Sequence, residues 1–152
     1  MTDTLHRILP QVQKPARYVG GEYNQIVKDK KNVDVRVAFC FPDTYEIGMS
    51  FLGEKILYDI LNRHENWWCE RAFMPWTDMK AQMERLDIPL YCLESKDPLT
   101  DFDIVGFSLE YELCYTNVLA MLRLSGIPLR AADRDERWPL IIAGGPCVCN
   151  AE

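Results

Sequence analysis

Three clusters of polar residues and glycines each follow a short apolar segment of the sequence. The clusters run from Pro42 to Gly48, from Ser108 to Glu112 and from Gly144 to Cys149. Carboxylates and hydroxyls can bind a ligand or transfer protons, and glycine lets a ligand approach the backbone closely. The candidate groups are Asp43, Tyr45, Glu46, Gly48, Ser108, Glu110, Glu112, Gly144 and Gly145. The pair Glu110 and Glu112 is more typical of solvated loop residues than of an acid and a base.

The apolar segments that precede these clusters are predicted strands. Val35–Phe41, Asp103–Leu109 and Leu140–Ala143 are short apolar runs of the kind that form buried strands, and Trp67–Phe73 is predicted as another. Because helices are predicted between the strands, the pattern indicates an α/β domain with a parallel, doubly wound sheet. Ligands of such sheets bind outside the carboxyl ends of the strands, where the three clusters lie.

Each predicted helix carries an apolar stripe that is expected to pack on the sheet. The first helix begins after Gly48, the second follows Pro75 with Thr77 or Asp78 as its N-cap, and the third ends at Gly126. The second stripe contains two methionines, and we interpret it as core in preference to a cofactor cavity. The stripes are Met49, Leu52, Ile56, Ile60 and Leu61; Trp76, Met79, Met83 and Leu86; and Tyr111, Tyr115, Val118, Leu119 and Leu122.

The predicted organisation is an N-terminal extension, residues 1–33, followed by the α/β domain, residues 34–152. The extension is interpreted as a surface tail anchored by Tyr18 and Tyr23, with a functional arm as the alternative. The sequence stops at Glu152, directly after the last predicted strand. We therefore expect a sheet truncated at its C-terminal end, covered by another chain or by later residues of a longer polypeptide.

Composition excludes several classes of partner. The net charge of −6 argues against a nucleic-acid partner, because phosphate binding depends on Lys and Arg. The sequence contains no run of about 18 apolar residues, which is the length needed to span a membrane. Its N-terminus lacks the apolar core of a secretory signal. We expect a cytoplasmic protein without a membrane partner.

Six cysteines are present, and we expect them to be reduced, because the chain shows no export signal. No C-x-x-C pair and no C-x-x-x-C-x-x-C loop occurs, so this chain alone is not expected to hold an iron–sulfur cluster or structural zinc. Cys147 and Cys149 could be redox-active or ligate a metal, but two ordinary thiols are the favoured interpretation. We predict no catalytic residue and no metal ligand here. G-x-G-x-x-G and P-loop patterns, which would indicate nucleotide binding, do not occur either.

Longer strings in the sequence carry a family resemblance. The chain reads D-T-Y-E-I-G over Asp43–Gly48, S-L-E over Ser108–Glu110 and G-G at Gly144–Gly145. Flavodoxin-like (Rossmann-like) cobalamin-binding domains carry D-x-H-x-x-G, S-x-L and G-G in the same order. From about Lys14 onward the chain resembles the N-terminal region of a radical S-adenosylmethionine (radical SAM) family with a cobalamin-binding-like front domain. The strings are KPARYVGGEYN, FCFPDTYEIGMSFLG, GFSLEYELCYTNVL and IIAGGPC.

The resemblance implies a cobalamin site formed by Asp43, Tyr45, Gly48, Ser108, Gly144 and Gly145. Tyr45 stands where the family motif has the cobalt-ligating His, and Glu110 stands where S-x-L has Leu. A phenol with a pKa of about 10 is a poor cobalt ligand at neutral pH, so any cobalamin would bind without a histidine ligand.

The resemblance also implies a function for the longer protein. This domain would position a corrinoid or a substrate for methyl transfer or another radical reaction. A C-terminal radical SAM catalytic domain, with its own 4Fe–4S cluster and S-adenosylmethionine, would carry out the reaction on a substrate that the sequence leaves unknown. The alternatives are a non-catalytic α/β scaffold that has lost cobalamin binding and, more weakly supported, a flavin-binding electron carrier. The first cluster lacks the Ser/Thr/Gly-rich composition that would cradle a flavin phosphate.

Overall fold

The sheet consists of the four segments that the sequence predicts as strands. The computed structural model describes residues 2–150, and the side chains of residues 4–149. The strands are β1 (Val35–Phe41), β2 (Trp67–Phe73), β3 (Ile104–Ser108) and β4 (Leu140–Gly144). In the described part of the chain the α-helices are α1 (Thr2–Ile8), α2 (Tyr45–Ser50), α3 (Leu52–Asn62), α4 (Thr77–Leu86) and α5 (Tyr115–Leu124).

All neighbouring strands are parallel, in the order β2-β1-β3-β4. Val37 pairs with Cys69 on one side and with Ile104 on the other, and Gly106 pairs with Ile142. One sheet face packs against α1, α4 and α5 through a core that includes Ile8, Met79, Val105, Phe107 and Met121. The other face packs against α3 over Val37, Phe39 and Cys69. This arrangement is flavodoxin-like, and it confirms the predicted fold class.

The orientation of α3 contradicts the prediction. Its buried residues are Glu54, Tyr58 and Asn62, whereas Leu52, Ile56 and Ile60, which were expected to pack on the sheet, are 68%, 49% and 46% exposed. The predicted continuous helix is in fact two helices. The backbone is extended at Phe51, which separates α2 from α3. Because this break resets the helical phase, the stripe that begins at Met49 does not continue towards the sheet.

Polar contacts hold α3 in this orientation. The side-chain amide of Asn62 donates to the carbonyls of Tyr58 and Cys69, both at 3.0 Å, and its oxygen accepts from the Cys69 N–H at 3.0 Å. The Tyr58 hydroxyl accepts from the Ile26 N–H at 2.9 Å. These bonds satisfy buried polar groups that would otherwise cost free energy, so α3 can bury its polar side.

The prediction of a buried strand at Leu140–Ala143 is also wrong in its burial. Leu140 is 62% exposed and Ile142 is 48% exposed. Within the described residues β4 pairs only with β3, so β4 is an edge strand. The apolar run correctly predicts a strand, but its sequence does not show which elements cover it.

Helices α4 and α5 lie where they were predicted, but their first residues and their contacts differ from the predictions. Trp76 occupies the N-cap position of α4 without a side-chain cap bond, and the Asp78 carboxylate instead accepts from the Gln13 N–H at 2.6 Å. The third helix begins at Tyr115, not Tyr111, and Leu119 in its predicted stripe is 50% exposed. Gly126 follows this helix with a φ of +70°, which confirms the predicted glycine stop.

The N-terminal extension is anchored more deeply than predicted. Leu5, Ile8, Val12 and Tyr18 are buried in the main core, whereas Tyr23, the second predicted anchor, is fully exposed. The Tyr18 hydroxyl accepts from the Trp76 N–H at 3.2 Å, and the Tyr18 backbone carbonyl accepts from the Tyr91 hydroxyl at 3.1 Å.

None of the helices in the described part of the chain is both long and apolar enough to cross a membrane.

Candidate functional site

The three clusters meet at the carboxyl ends of the strands. The Tyr111 hydroxyl donates to the Asp43 carboxylate, which joins the second cluster to the first. The Cys147 N–H donates to the Leu109 carbonyl at 3.1 Å, and the Leu109 N–H donates to the Gly144 carbonyl at 2.7 Å. The predicted convergence on one edge of the sheet therefore occurs. It follows from the parallel strand order, which places the ends of β1, β3 and β4 side by side.

A groove runs along the sheet face between α3 and the strands β3 and β4, with a volume of about 520 Å³. Gly53, Leu57 and Ile60 form its helical wall, and Gly106 and Ile142 form its floor. The groove exists because α3 covers β1 and β2 but leaves this half of the face open. Its carboxyl end carries the few polar groups. There Ser108, Glu110, Gly144, Gly145 and Pro146 line it.

Three of the six predicted site residues lie together in this groove: Ser108, Gly144 and Gly145. The Ser108 hydroxyl donates to Glu110 at 2.6 Å, so Glu110 fixes its direction. Gly145 has a φ of +111°, and a Cβ there would lie 2.5 Å from the Leu109 carbonyl oxygen, so this turn requires glycine. A Cβ on Gly144 would meet nothing within 4 Å, so Gly144 leaves open space in the groove.

The other three predicted residues do not line the groove. A Cβ on Gly48 would lie 2.3 Å from the Phe73 ring, so Gly48 allows α2 to pack on the core. The Asp43 carboxylate accepts from its neighbour Thr44 N–H at 2.6 Å and from Tyr111. These contacts give Asp43 and Gly48 structural roles in this chain.

Tyr45 also points away from the groove. Its ring packs edge-on against Phe73, with 5.6 Å between ring centroids, and its hydroxyl donates to Glu22. Burial and the neighbouring Glu22 carboxylate raise the pKa of Tyr45 to about 12. The phenol therefore stays protonated at neutral pH and is engaged by Glu22, which disfavours it as a metal ligand.

The N-terminal extension contacts the first cluster, and sequence reasoning missed these contacts. Arg17 and Lys14 form ion pairs with Glu46 at 2.8 Å and 3.1 Å. Burial opposes ionisation of Glu46, but the hydrogen bonds from Arg17 and Lys14 outweigh it and lower its pKa to about 2. The Arg17 guanidinium also lies over the Trp76 ring, 5.6 Å from its centroid. The basic residues of the string KPARY were the available signal.

The two cysteines of the third cluster differ in exposure. Cys147 is buried and Cys149 is exposed. Burial raises the pKa of the Cys147 thiol, which lowers its reactivity as a nucleophile. Among the described side chains, no three His, Cys, Asp or Glu residues are grouped so that they could hold a metal ion.

Two buried ion-pair clusters on β2 were also missed. The Arg71 Nε donates to Glu94 at 2.7 Å, and both side chains are almost completely buried. Arg36 pairs with the fully buried Glu70 and, at 2.8 Å, with Asp97. The charged pair Glu70-Arg71 inside an otherwise apolar predicted strand was the signal, since charged residues are rarely buried without partners.

Comparison with known proteins decides the family. The family described as radical SAM proteins, N-terminal, matches residues 53–152. The chain belongs to this family of radical SAM N-terminal domains. The match begins at α3 and includes β2, β3 and β4, so all lining residues from Gly53 onward lie inside the family region.

One curated relative adds a measure of length. An uncharacterized protein of Methanocaldococcus jannaschii is 25% identical over 112 residues, which cover 74% of this chain and 19% of the relative. The chain thus spans about a fifth of the curated relative it matches. No solved structure matches this radical SAM N-terminal domain.

Proposed function

We propose that this radical SAM N-terminal domain binds the nucleotide tail of a corrinoid in the groove and positions the corrinoid for a catalytic domain. The observation that carries the proposal is the meeting of Ser108, Gly144 and Gly145 at the carboxyl end of that groove. Small-molecule sites are typically concave and mostly apolar, with a few convergent polar groups. This groove has that character.

The lining residues of the groove suit a corrinoid tail, and none of them is a suitable ligand for cobalt. The space beside Gly144, the apolar wall at Leu57 and the floor at Ile142 suit a flat aromatic group. Ser108, oriented by Glu110, offers a hydroxyl at the polar end. Tyr45 lies elsewhere and is bound to Glu22, so the domain would hold the corrinoid without ligating its cobalt.

The catalytic part of the proposal lies outside this chain. A bound corrinoid would supply methyl-transfer or related radical chemistry. A C-terminal radical SAM domain would supply the 4Fe–4S cluster and S-adenosylmethionine in a cytoplasmic enzyme, for which the resemblance of the sequence and the length of the relative are the support. The role of the present chain is binding and positioning, and its substrate belongs to the longer protein.

A non-catalytic scaffold is the second candidate, and a specific observation favours it. Leu52, Ile56 and Ile60 form an exposed apolar stripe on α3, and Leu140 is exposed on the edge strand β4. Such surfaces are typical of interaction sites. In this case the catalytic domain itself would pack on α3 and β4, and the groove would be filled by protein.

Titration with hydroxocobalamin tests the proposal. We expect the purified chain to retain the corrinoid through gel filtration, with an absorption spectrum that shows no nitrogen ligand from the protein. A folded chain that retains no corrinoid would contradict tail binding by this domain and favour the scaffold.

A further inference from the structure

Glu54 is a buried carboxyl group without a hydrogen-bond partner. It lies on the sheet side of α3 and is 1% exposed. Neither of its side-chain oxygens has a partner among the described residues. A buried ionised carboxylate in such surroundings is costly unless a cation pairs with it, so the charge state of Glu54 affects how α3 is seated.

The buried cation that acts on Glu54, Arg71, is already hydrogen-bonded to another carboxylate. Glu94 accepts from the Arg71 Nε and from the Arg71 backbone N–H, both at 2.7 Å. The Arg71 Nη1 donates to the Met49 sulfur at 3.4 Å, and the Nη2 has no partner. One guanidinium therefore acts on two carboxyl groups and is hydrogen-bonded to Glu94 alone, which favours Glu54 as the group that carries a proton.

The other elements around Glu54 do not supply a compensating charge. Its own helix contributes the neighbouring Lys55, which is exposed. β1 contributes the Cys40 thiol and β2 contributes the Cys69 thiol together with Arg71. The remaining charged neighbour is the acidic Glu94. An ionised Glu54 would therefore share a single buried cation with Glu94.

We propose that Glu54 is a neutral carboxylic acid in the folded chain, and that the first turn of α3 leaves the sheet when Glu54 ionises. Gly53 and Leu57 of the same helix line the groove, so the groove wall becomes sensitive to pH. This inference concerns α3 alone and does not depend on what the groove binds.

The direction of the pH effect follows from the pKa. Burial raises the pKa of Glu54 to about 8, with Arg71 lowering it and Glu94 raising it. A glutamate in an open segment has a pKa of about 4.3. Between these values the seated state binds one more proton than the open state, so opening of α3 becomes more favourable as the pH rises.

Amide hydrogen exchange of the wild type and Glu54→Gln tests the proposal. At each pH, the exchange rate of the wild type is divided by that of Glu54→Gln, which cancels the intrinsic pH dependence of amide exchange. For amides of α3 we expect this ratio to rise roughly tenfold per pH unit between the two pKa values of Glu54, about 4.3 in the open state and about 8 in the seated state. The reason is that opening releases one proton in this pH range. Asp59→Asn is the matched control: Asp59 is an exposed acid on the same helix, and this variant should follow the wild type.

A ratio that stays constant across the window would overturn the proposal. If Glu54→Gln does not fold, the carboxyl ¹³C resonances of the wild type decide instead. We expect the assigned Glu54 carboxyl to titrate with a pKa of about 8, and titration of Glu54 near the ordinary glutamate pKa would overturn the proposal equally.

Discussion

Gly144→Val weakens hydroxocobalamin binding by about a hundredfold or more, which corresponds to about 2.8 kcal/mol. A Cβ at this position would meet no protein atom within 4 Å, so the valine side chain extends into the groove that the corrinoid tail would occupy. Valine is well suited to a strand, and Gly144 ends β4. The fold should therefore tolerate the substitution. Equilibrium dialysis of both proteins, with thermal unfolding as a check, measures the effect.

Tyr45→Phe is the matched control for this prediction. Tyr45 belongs to the motif that suggested a corrinoid site, but its ring packs on Phe73, away from the groove. The variant should bind hydroxocobalamin as the wild type does. The opposite pattern, with unchanged affinity in a folded Gly144→Val protein and lost affinity in Tyr45→Phe, would move the site to the first cluster.

Arg71→Met lowers the free energy of unfolding by about 3–5 kcal/mol, because it leaves a buried carboxylate without its cation. The Arg71 guanidinium pairs with Glu94 at 2.7 Å and lies over the Tyr58 ring, 4.3 Å from its centroid. Proteins of this kind are stabilised by only about 5–15 kcal/mol, so the loss is large. Urea unfolding followed by fluorescence measures it.

Two further variants separate charge from packing. Arg71→Met combined with Glu94→Gln removes both partners, and we expect it to be more stable than Arg71→Met alone. Arg63→Met removes an arginine that is 74% exposed and pairs with Asp59, and its cost should stay within about 1 kcal/mol. Equal losses for Arg71→Met and the double variant would show that the missing cation is not the cause.

The sequence predicted the strands well because each strand is a short apolar run. It could not predict which strand would be covered: Leu140 lies in an apolar run much like that of β1, yet it is exposed at the sheet edge. The spacing of apolar residues also could not predict which side of α3 packs on the sheet. A single extended residue, Phe51, divides the stripe, and the hydrogen bonds of Asn62 reverse the buried side.

The candidate site was predictable where backbone geometry decides it. Gly145 requires glycine because of its positive φ and its close approach to Leu109, and Gly144 precedes it in the motif. The first cluster resisted prediction because its polar groups bond to distant residues. Glu22 binds Tyr45, and Arg17 binds Glu46 from the N-terminal extension. Spacing within a motif does not show such long-range partners.

Hydrogen exchange of the wild type with and without hydroxocobalamin tests the central claim most directly, because it locates the bound corrinoid. We predict slower exchange in residues 53–61 and 142–145, which contain lining residues of the groove from α3 and from the end of β4, and unchanged exchange in residues 43–48. Protection confined to residues 43–48, or no protection anywhere at saturating hydroxocobalamin, would contradict the claim that this groove holds the corrinoid tail.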